Sequence, residues 1–461
     1  MPRVEILAIS LTILSIVACT DSPIDGSASE SDETSTTLRI FWNQGFYPEE
    51  DLALQRIVSA WEAETNISVE LTLYSSDDIL NQTEAALASG NPPDIVFAHR
   101  ADYTLQPQWA WKGQLMDVSD VLEPYADEYS PAALEAAYLY NQTTGERSYY
   151  GVPIEQQTIH IHYWRNLLQE SGLDESQIPQ DWTGFWAFWQ QAQQTVQKAV
   201  KPDIYGLGLT LSVQGSDTYY FFEQVMDAYD VNLFTEDGQF QGEDPDVRAK
   251  LIQVLDWTTQ FYRNAYVPEA AVDWLDADNN ISFLNQRTIM TPNPSLSIPA
   301  SQREEDLLYE QQIVTQAFPD EPDGESMTYL VSVKQALIFS ESRNPAAAKA
   351  FLGYMLEPQR LNEYVKGALG RWFPVMDSAL SDPFWSDPAD PHVSVAVQQF
   401  IQNPTRPFYH AVNAAYSQVQ SENIWGQAIG RVVIENWSTE KAVDKAIAQI
   451  EEILAEWEDE P

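Results

Sequence analysis

Residues 38–98 contain five apolar segments, in which strand-like runs alternate with helix-like segments. Three short runs are rich in β-branched and aromatic residues, as strands are. These runs lie at 38–42, 67–74 and 95–98. The two segments between them have the apolar spacing of helices, and the second ends before Gly90, a residue that readily adopts a left-handed helix cap. Because strands and helices alternate, the sequence predicts an α/β fold whose parallel sheet is covered by helices on both faces.

An apolar leader precedes this segment. Residues 6–17 are almost wholly apolar, but about 12 residues are far fewer than the roughly 20 that a membrane-spanning helix needs. The run therefore predicts the core of an export signal. It ends in Ile-Val-Ala-Cys, which resembles the bacterial lipobox, so we expect a signal peptide at 1–18 and lipidation of Cys19. The alternative is a small buried cysteine in an ordinary globular start.

The chain after the leader is long and acidic. Residues 20–37 are almost entirely polar and predict, with Cys19, a flexible acidic linker at 19–37. About 420 residues follow, more than one core usually supports, so two domains are expected. The chain carries 69 acidic and 24 basic residues, a net charge of −45, and such a field excludes nucleic acid as a partner. The acids are scattered, which indicates a solvated surface; a pocket for cations is the alternative.

Several motifs resemble one protein family. Residues 85–96, Ala-Ala-Leu-Ala-Ser-Gly-Asn-Pro-Pro-Asp-Ile-Val, resemble the signature of the extracellular solute-binding proteins of ABC importers, in the group that includes maltose-binding protein. Other segments resemble further parts of that pattern in the same order. They lie at 150–153, 159–165, 172–174, 179–182, 283–290, 344–356 and 370–375.

The resemblance implies a two-lobed periplasmic-binding-protein fold, each lobe a mainly parallel sheet flanked by helices, with the ligand in the cleft between the lobes. Mapped by motif position, the N-lobe takes 38–150 plus 309–356 and the C-lobe takes 151–308 plus 357–461. The implied protein is a monomeric, lipid-anchored receptor on the periplasmic or extracellular face of the cell membrane. It would capture a sugar by lobe closure and deliver it to ABC permease subunits, with no enzymatic activity and no cofactor.

The ends of the predicted strands offer candidate ligand-binding residues, since ligands of open parallel sheets meet the loops at the carboxyl ends of strands. Aromatic rings stack on sugar rings, and amide or guanidinium groups form oriented hydrogen bonds to hydroxyls. The candidates are Trp42, Asn43, Gln44 and Tyr47 after the first strand, and His99, Arg100 and Tyr103 after the third. The alternative places Trp42 in the core and Asn43 in a turn.

The family resemblance adds candidates farther along the chain. They are Gln156, Gln157, Asn293, Arg371, Trp372, Phe373 and Trp425. Arg371 is the most informative of them, because an arginine beside two aromatic residues offers both a fork of donors and a stacking surface. The alternative for Arg371 is a surface position next to core packing.

Other aromatic and histidine residues have a different interpretation. Trp182, Phe185, Trp186 and Trp189 have the spacing of one helix face, which predicts core packing, and Trp257, Phe261 and Trp274 are expected to behave likewise. His160 and His162 lie on one face of a predicted strand. Two imidazoles could begin a metal site, but no motif completes one, so we predict no metal.

Two other functions stay open. The wider family includes receptors for polyamines and other cations, which the acidity of this chain allows. A glycoside hydrolase needs only two carboxylates, so the sequence does not exclude one. Phosphate-binding glycine loops, a nucleophile elbow and zinc-protease spacing are absent from the sequence.

Overall fold

The computed structural model describes residues 37–459, so the predicted signal peptide, the lipidation site at Cys19 and nearly all of the predicted linker lie outside the described residues. The strands are β1 Thr37–Asn43, β2 Ser68–Tyr74, β3 Ile95–Phe97, β4 Tyr138–Asn141, β5 Glu146–Tyr149, β6 Val152–Gln157, β7 His160–Trp164, β8 Tyr205–Leu207, β9 Thr288–Asn293, β10 Ile313–Gln316, β11 Tyr329–Leu337, β12 Phe373–Pro374 and β13 Thr405–Pro407.

Helices connect and cover these strands. They are α1 Pro48–Thr65, α2 Ile79–Ala88, α3 Gln106–Trp111, α4 Ser119–Leu122, α5 Pro131–Ala137, α6 Arg165–Glu170, α7 Trp182–Ala199, α8 Ser216–Ala228, α9 Pro245–Arg263, α10 Asp278–Leu284, α11 Ser297–Ala300, α12 Pro345–Met355, α13 Pro358–Lys366, α14 Pro383–Ser386, α15 Val393–Gln402, α16 Tyr416–Ser421, α17 Ile424–Val433 and α18 Thr439–Asp459. Short turns of 3₁₀ or π helix lie at 123–125, 175–177, 269–272, 307–312, 377–381 and 409–411. None of the helices within 37–459 has the length and hydrophobicity of a membrane span.

The first sheet confirms the predicted start of the fold. β1 pairs in parallel with both β2 and β3, while α1 and α2 make the connections. Gly90 adopts a φ of +67° just beyond α2, as its predicted capping role requires. The full strand order is β12-β6-β11-β3-β1-β2, with β13 on β11, and β11 runs antiparallel to β3 and β6. The sheet is therefore mixed rather than wholly parallel.

A second sheet has the order β10-β7-β9-β8 and its own hydrophobic core. Helix α7 packs Trp182, Phe185, Trp186 and Trp189 into that core, where each is at most 3% exposed. This confirms the predicted packing role of that helix face, which buries a large apolar area. Of the other aromatic residues predicted to pack, Phe261 and Trp274 are buried and Trp257 is half-buried against the same core.

The two cores correspond to two lobes, and the chain passes between them more than once. β6 contributes Ile154 to the first core, and Ile159, two residues after its end, belongs to the second. β11 begins in the second core at Tyr329 and continues in the first. The chain returns to the second core after β13, which pairs with β11. The two lobes are therefore joined at these crossings.

The segments that form each core do not match the lobe boundaries expected from the motif positions. Residues 361–397, expected in the C-lobe, pack in the first core. Residues 313–318, expected in the N-lobe, pack in the second. For residues 361–397 the reason lies in chain order, because the helices α12, α13 and α15 come after β11 and pack in the core of the sheet to which that strand belongs.

Candidate functional site

A cavity of about 470 Å³ lies between the two lobes. One wall comes from the first lobe, from the loops after β1, β2 and β3, from β11 and from the segment before β12. The other wall comes from the second lobe, at the starts of α8, α10 and α11 and at the end of β9. The residues that line the cavity include Phe46, Asp77, His99, Arg100, Tyr103, Gln157, Ser216, Asp217, Tyr220, Asp276, Asn280, Asn293, Ser295, Lys334, Arg371 and Trp372.

The cavity brings together about half of the residues predicted from the sequence. The predicted residues that line it are His99, Arg100, Gln157, Asn293, Arg371 and Trp372, together with Tyr103. The predicted residues that do not line it are Trp42, Asn43, Gln44, Tyr47, Gln156, Phe373 and Trp425.

Three of the aromatic candidates are packed in cores instead. The Trp42 ring stacks on Phe97 with centroids 4.3 Å apart, and its Nε1 donates to the Tyr364 hydroxyl at 2.9 Å. Phe373 is fully buried in the first core. Trp425 is buried in the second core, far along the chain on α17, and its Nε1 donates to a tyrosine hydroxyl at 2.9 Å. These rings face away from the cavity because their strand or helix turns them to the apolar side.

Asn43 lies behind the first-lobe wall and links two of its loops. Its Nδ2 donates to the Ser76 Oγ at 3.0 Å, and its Oδ1 accepts the backbone N–H of His99 at 3.4 Å. Both partners line the cavity. Asn43 therefore positions the residues that follow β2 and β3.

The remaining predicted residues have other surroundings. The Gln44 side chain is exposed beyond the end of β1. Tyr47 immediately precedes α1, and its backbone N–H donates to Glu50 Oε1 at 3.1 Å. Gln156 is buried, and its Nε2 donates to the carbonyl of Pro374 at 2.7 Å, which holds β12 against β6. Its neighbour Gln157 points to the cavity, as alternate residues of a strand do.

A buried ion pair supports the first-lobe wall. Lys334 Nζ lies 3.1 and 3.0 Å from the two carboxylate oxygens of Asp102, and both side chains are 2% exposed. Ser332 on β11 bonds to both partners. The ammonium also lies 5.5 Å from the centre of the Tyr103 ring. Burial lowers the pKa of Lys334, and Asp102 opposes that shift by favouring the charged ammonium.

A histidine and a glutamate meet below the same wall. His99 Nε2 lies 3.0 Å from Glu155 Oε1, and the two side chains are 8% and 1% exposed. Burial, reinforced by the charge of Arg371, holds the pKa of His99 well below its usual value. Burial, reinforced by Glu50, raises the pKa of Glu155 well above its usual value. Both shifts favour the neutral forms, which leaves this pair with little net charge under the cavity.

Arg371 occupies one end of the first-lobe wall. Its guanidinium carbon lies 4.9 Å from the centre of the Phe46 ring and 4.9 Å from that of Trp372. Phe46 is 59% exposed, whereas Trp372 is buried beside His99. The guanidinium and the exposed ring form a surface that combines planar donors with an apolar face.

The second-lobe wall is acidic and rich in amides and hydroxyls. Asp217 is 8% exposed and accepts a hydrogen bond from Asn279 Nδ2 at 2.8 Å. Burial, with a contribution from Asp276, raises the pKa of Asp217 well above its usual value. Asn293 Nδ2 donates to Asn280 Oδ1 at 2.6 Å, which fixes the amides at the end of β9. This wall can accept and donate hydrogen bonds to many hydroxyl groups at once.

The lining residues not predicted from the sequence come from two sources. Phe46 lies one position before the predicted Tyr47, and the loop direction decides which ring meets the cavity. Ser216, Asp217 and Asp276 lie in and beside helix starts of the second lobe, a region in which the sequence shows no strand-end pattern. Lys334 had a readable signal, since a lysine inside an otherwise largely apolar strand requires a buried partner.

The two histidines on β7 are buried in the second lobe. His162 Nδ1 lies 3.0 Å from the Thr315 hydroxyl, which also contacts His392 Nδ1 at 2.6 Å. His160 Nδ1 contacts the Gln399 side chain. Within residues 37–459 no group of three His, Cys, Asp or Glu side chains has an arrangement that could hold a metal ion. The Nδ1 atom of each of the two β7 rings thus contacts a neutral side chain, whereas His160 Nε2 is buried without a hydrogen-bond partner among residues 37–459.

Known proteins resemble this chain along most of its length. A model of the family described as bacterial extracellular solute-binding protein matches residues 56–393. A multiple sugar-binding protein of Streptococcus mutans is 24% identical in an alignment 390 residues long, which covers 77% of this chain and 78% of that protein.

Solved structures share the fold. An ABC transporter solute-binding protein of Thermotoga lettingae bound with alpha-D-tagatose is 19% identical, with a TM-score of 0.69 over 91% of this chain and 100% of that one. The cyclic alpha-maltosyl-1,6-maltose binding protein of Arthrobacter globiformis is 20% identical, with a TM-score of 0.68 over 91% of this chain and 99% of that one. Both likenesses identify the architecture as that of two-lobed periplasmic binding proteins.

Proposed function

Because this chain belongs to the bacterial extracellular solute-binding proteins, a family of transport receptors rather than enzymes, we propose that it captures a carbohydrate for an ABC importer. The observation that carries the proposal is the cavity between the lobes. One wall offers the exposed ring of Phe46 beside a guanidinium, and the other offers amides, hydroxyls and carboxylates. An aromatic face with converging hydrogen-bonding groups suits a sugar ring. The name of the Streptococcus relative supports the same ligand class.

Capture follows from the division of the site between two lobes. A ligand that touches both walls gains its full set of contacts only when the lobes are closed, so binding shifts the population toward the closed form. The Tyr220 hydroxyl on α8 accepts a hydrogen bond from Gln157 Nε2 at 3.2 Å and so lies beside the crossing between β6 and β7. The permease subunits of the importer would recognise the closed form and receive the sugar.

Phe46→Ala is expected to weaken binding of a sugar at least about tenfold, because an exposed ring in the site contributes stacking area. Its effect on the free energy of unfolding should stay within about 0.5 kcal/mol, since the ring is exposed. A thermal-shift screen of saccharides finds the ligand, since a ligand at 100 times its Kd adds about 2.7 kcal/mol of stability. Titration calorimetry then compares the variants.

Tyr138→Ala is the matched control, because Tyr138 is 41% exposed and does not line the cavity. The sugar affinity of this variant should equal that of the unaltered protein. Small-angle scattering should show compaction when the sugar is added. Turnover of the saccharide by the purified protein, or binding without compaction, would contradict the proposal.

The proposed receptor is held at the outer face of the cell membrane, as a monomer, by a lipid on Cys19. The lipobox-like sequence before this cysteine and the extracellular location of the family support this part of the proposal. Cys19→Ser should release the protein from the membrane fraction and leave its sugar affinity unchanged, because the cysteine determines location only. Retention of the serine variant in the membrane fraction would contradict lipidation at this residue.

A further inference from the structure

Three cationic side chains line the cavity, and they differ in their partners. Arg100 Nη1 lies 3.3 Å from the Asp77 carboxylate, and Lys334 Nζ lies 3.0 Å from that of Asp102. The Arg371 guanidinium forms no ion pair within 4 Å and no side-chain hydrogen bond among residues 37–459, although the backbone N–H of Arg371 donates to the Ala368 carbonyl at 2.9 Å. Its Nε is buried without a hydrogen-bond partner in this part of the chain. The first-lobe wall therefore contains a guanidinium without a counter-charge.

The nearest neighbours of the Arg371 guanidinium are aromatic rings. The rings of Phe46 and Trp372 lie 4.9 Å from its central carbon. Aromatic rings contact the faces of a guanidinium, while its N–H donors point outward in the plane. The donors of Arg371 are thus left for a group that enters the cavity.

Two glutamates near Arg371 do not supply the missing counter-charge. Glu50 and Glu155 are close enough for Arg371 to lower their pKa values, but burial is the larger effect and raises both. Burial therefore opposes the charged carboxylate forms of both residues. Glu50 also accepts the backbone N–H of Tyr47 at the start of α1. These carboxyls belong to the layer behind the wall.

We propose that the ligand is an acidic saccharide, and that Arg371 binds its carboxylate in a fork of two hydrogen bonds. This inference rests on the proposed carbohydrate-binding function. A guanidinium matches the planar geometry of a carboxylate, and such bidentate pairs are the stronger kind of hydrogen bond. Closure around a neutral sugar would withdraw the guanidinium from water without a counter-charge, which is unfavourable.

The acids of the second-lobe wall are compatible with this ligand. Tyr103 makes the largest contribution to the raised pKa of Arg100, and Asp276 contributes to it, so Asp276 lies within electrostatic range of a cationic side chain of the cavity. Burial raises the pKa of Asp217, which favours its protonated form. Both can accept hydrogen bonds from sugar hydroxyls. The net charge of −45 acts over long range and is screened beyond about 8 Å at physiological ionic strength.

The test is calorimetry on matched pairs that differ only in the acid group: galacturonate with galactose, glucuronate with glucose, and the corresponding disaccharides. The uronate of at least one pair should bind about 10- to 100-fold more tightly than its neutral counterpart, the range expected for a charged hydrogen bond. Arg371→Gln should reduce this ratio to about one, and Arg371→Lys should retain part of it, because lysine keeps the charge but not the fork.

Arg248→Gln is the control, because Arg248 is paired with Asp444 on the surface and does not line the cavity. It should leave the ratio unchanged. Neutral sugars that bind as tightly as the uronates, or a ratio that survives Arg371→Gln, would overturn the acidic-saccharide inference while leaving the carbohydrate-binding function intact. Absence of binding by every saccharide in the screen would overturn both.

Discussion

Replacing Asp102 by alanine is expected to lower the free energy of unfolding by about 3–5 kcal/mol, the usual cost of removing one partner of a buried ion pair. The substitution leaves the Lys334 ammonium, which is 2% exposed, without its carboxylate. The Ser332 hydroxyl is hydrogen-bonded to both groups. It carries no charge and so cannot replace the lost carboxylate. Denaturant unfolding of the purified protein measures the loss.

Two further variants distinguish the loss of this buried ion pair from the loss of an ordinary surface ion pair. Asp444→Ala breaks the exposed pair with Arg248, in which the side chains are 53% and 38% exposed, and should cost at most about 1 kcal/mol. Asp102→Leu combined with Lys334→Met removes both charges and should recover most of the stability. If Asp102→Ala cost no more than Asp444→Ala, the ion pair would not contribute as described.

The stability deficit of Asp102→Ala should also depend on pH. Burial already lowers the pKa of Lys334, and loss of the carboxylate should lower it further. Between that lowered pKa and the ordinary value of 10.5, the unfolded chain binds more protons than the folded protein, so stability rises with pH. The deficit should therefore narrow as the pH is raised toward 10.5.

Trp42→Ala is expected to lower the free energy of unfolding by about 3–5 kcal/mol through the cavity that it leaves. Trp42 is 1% exposed, stacks on Phe97 and donates to the Tyr364 hydroxyl. Because the residue does not line the cleft, the sugar affinity of the folded variant should be unchanged. Unfolding curves and calorimetry together measure the two quantities.

Trp42→Phe is the conservative comparison, since it keeps an aromatic ring against Phe97 and loses mainly the indole hydrogen bond. It should cost about 1–2 kcal/mol, close to the value of one buried hydrogen bond with some loss of packing. A large loss of affinity with unchanged stability would instead assign Trp42 to the ligand site.

The sequence predicts those parts of the fold that depend on local pattern. The aromatic face of α7 repeats every three or four residues, and such a repeat identifies a buried helix face wherever the helix lies. The alternating strands and helices before residue 98 likewise predict the parallel pairing of β1 with its neighbours. The antiparallel insertion of β11 has no local signal, because it depends on a strand more than two hundred residues away.

The candidate site, too, could be predicted from the sequence only in part. The segment Arg371–Trp372 is visible as a charged residue beside an aromatic one, and both line the cavity. Trp42 and Phe46 lie close together in the chain, yet only Phe46 lines it, because the end of β1 decides which way each side chain points. A strand-end rule identifies the loop but not the side chain within it. The second-lobe wall requires the arrangement of several loops, which no single segment encodes.

The repeated crossing of the chain between lobes has a consequence for the synthesis of this protein. The first core needs residues as late as 397, and the second needs α18 near the end of the chain. A growing polypeptide therefore cannot complete the first core before α15 is made, or the second before α18 is made, although the first core contains the strands β1 and β3. Loops of this length must close before the central strands pair, which is slow compared with local folding. Neither lobe can be produced as one uninterrupted fragment, because the residues of each core alternate along the chain with those of the other.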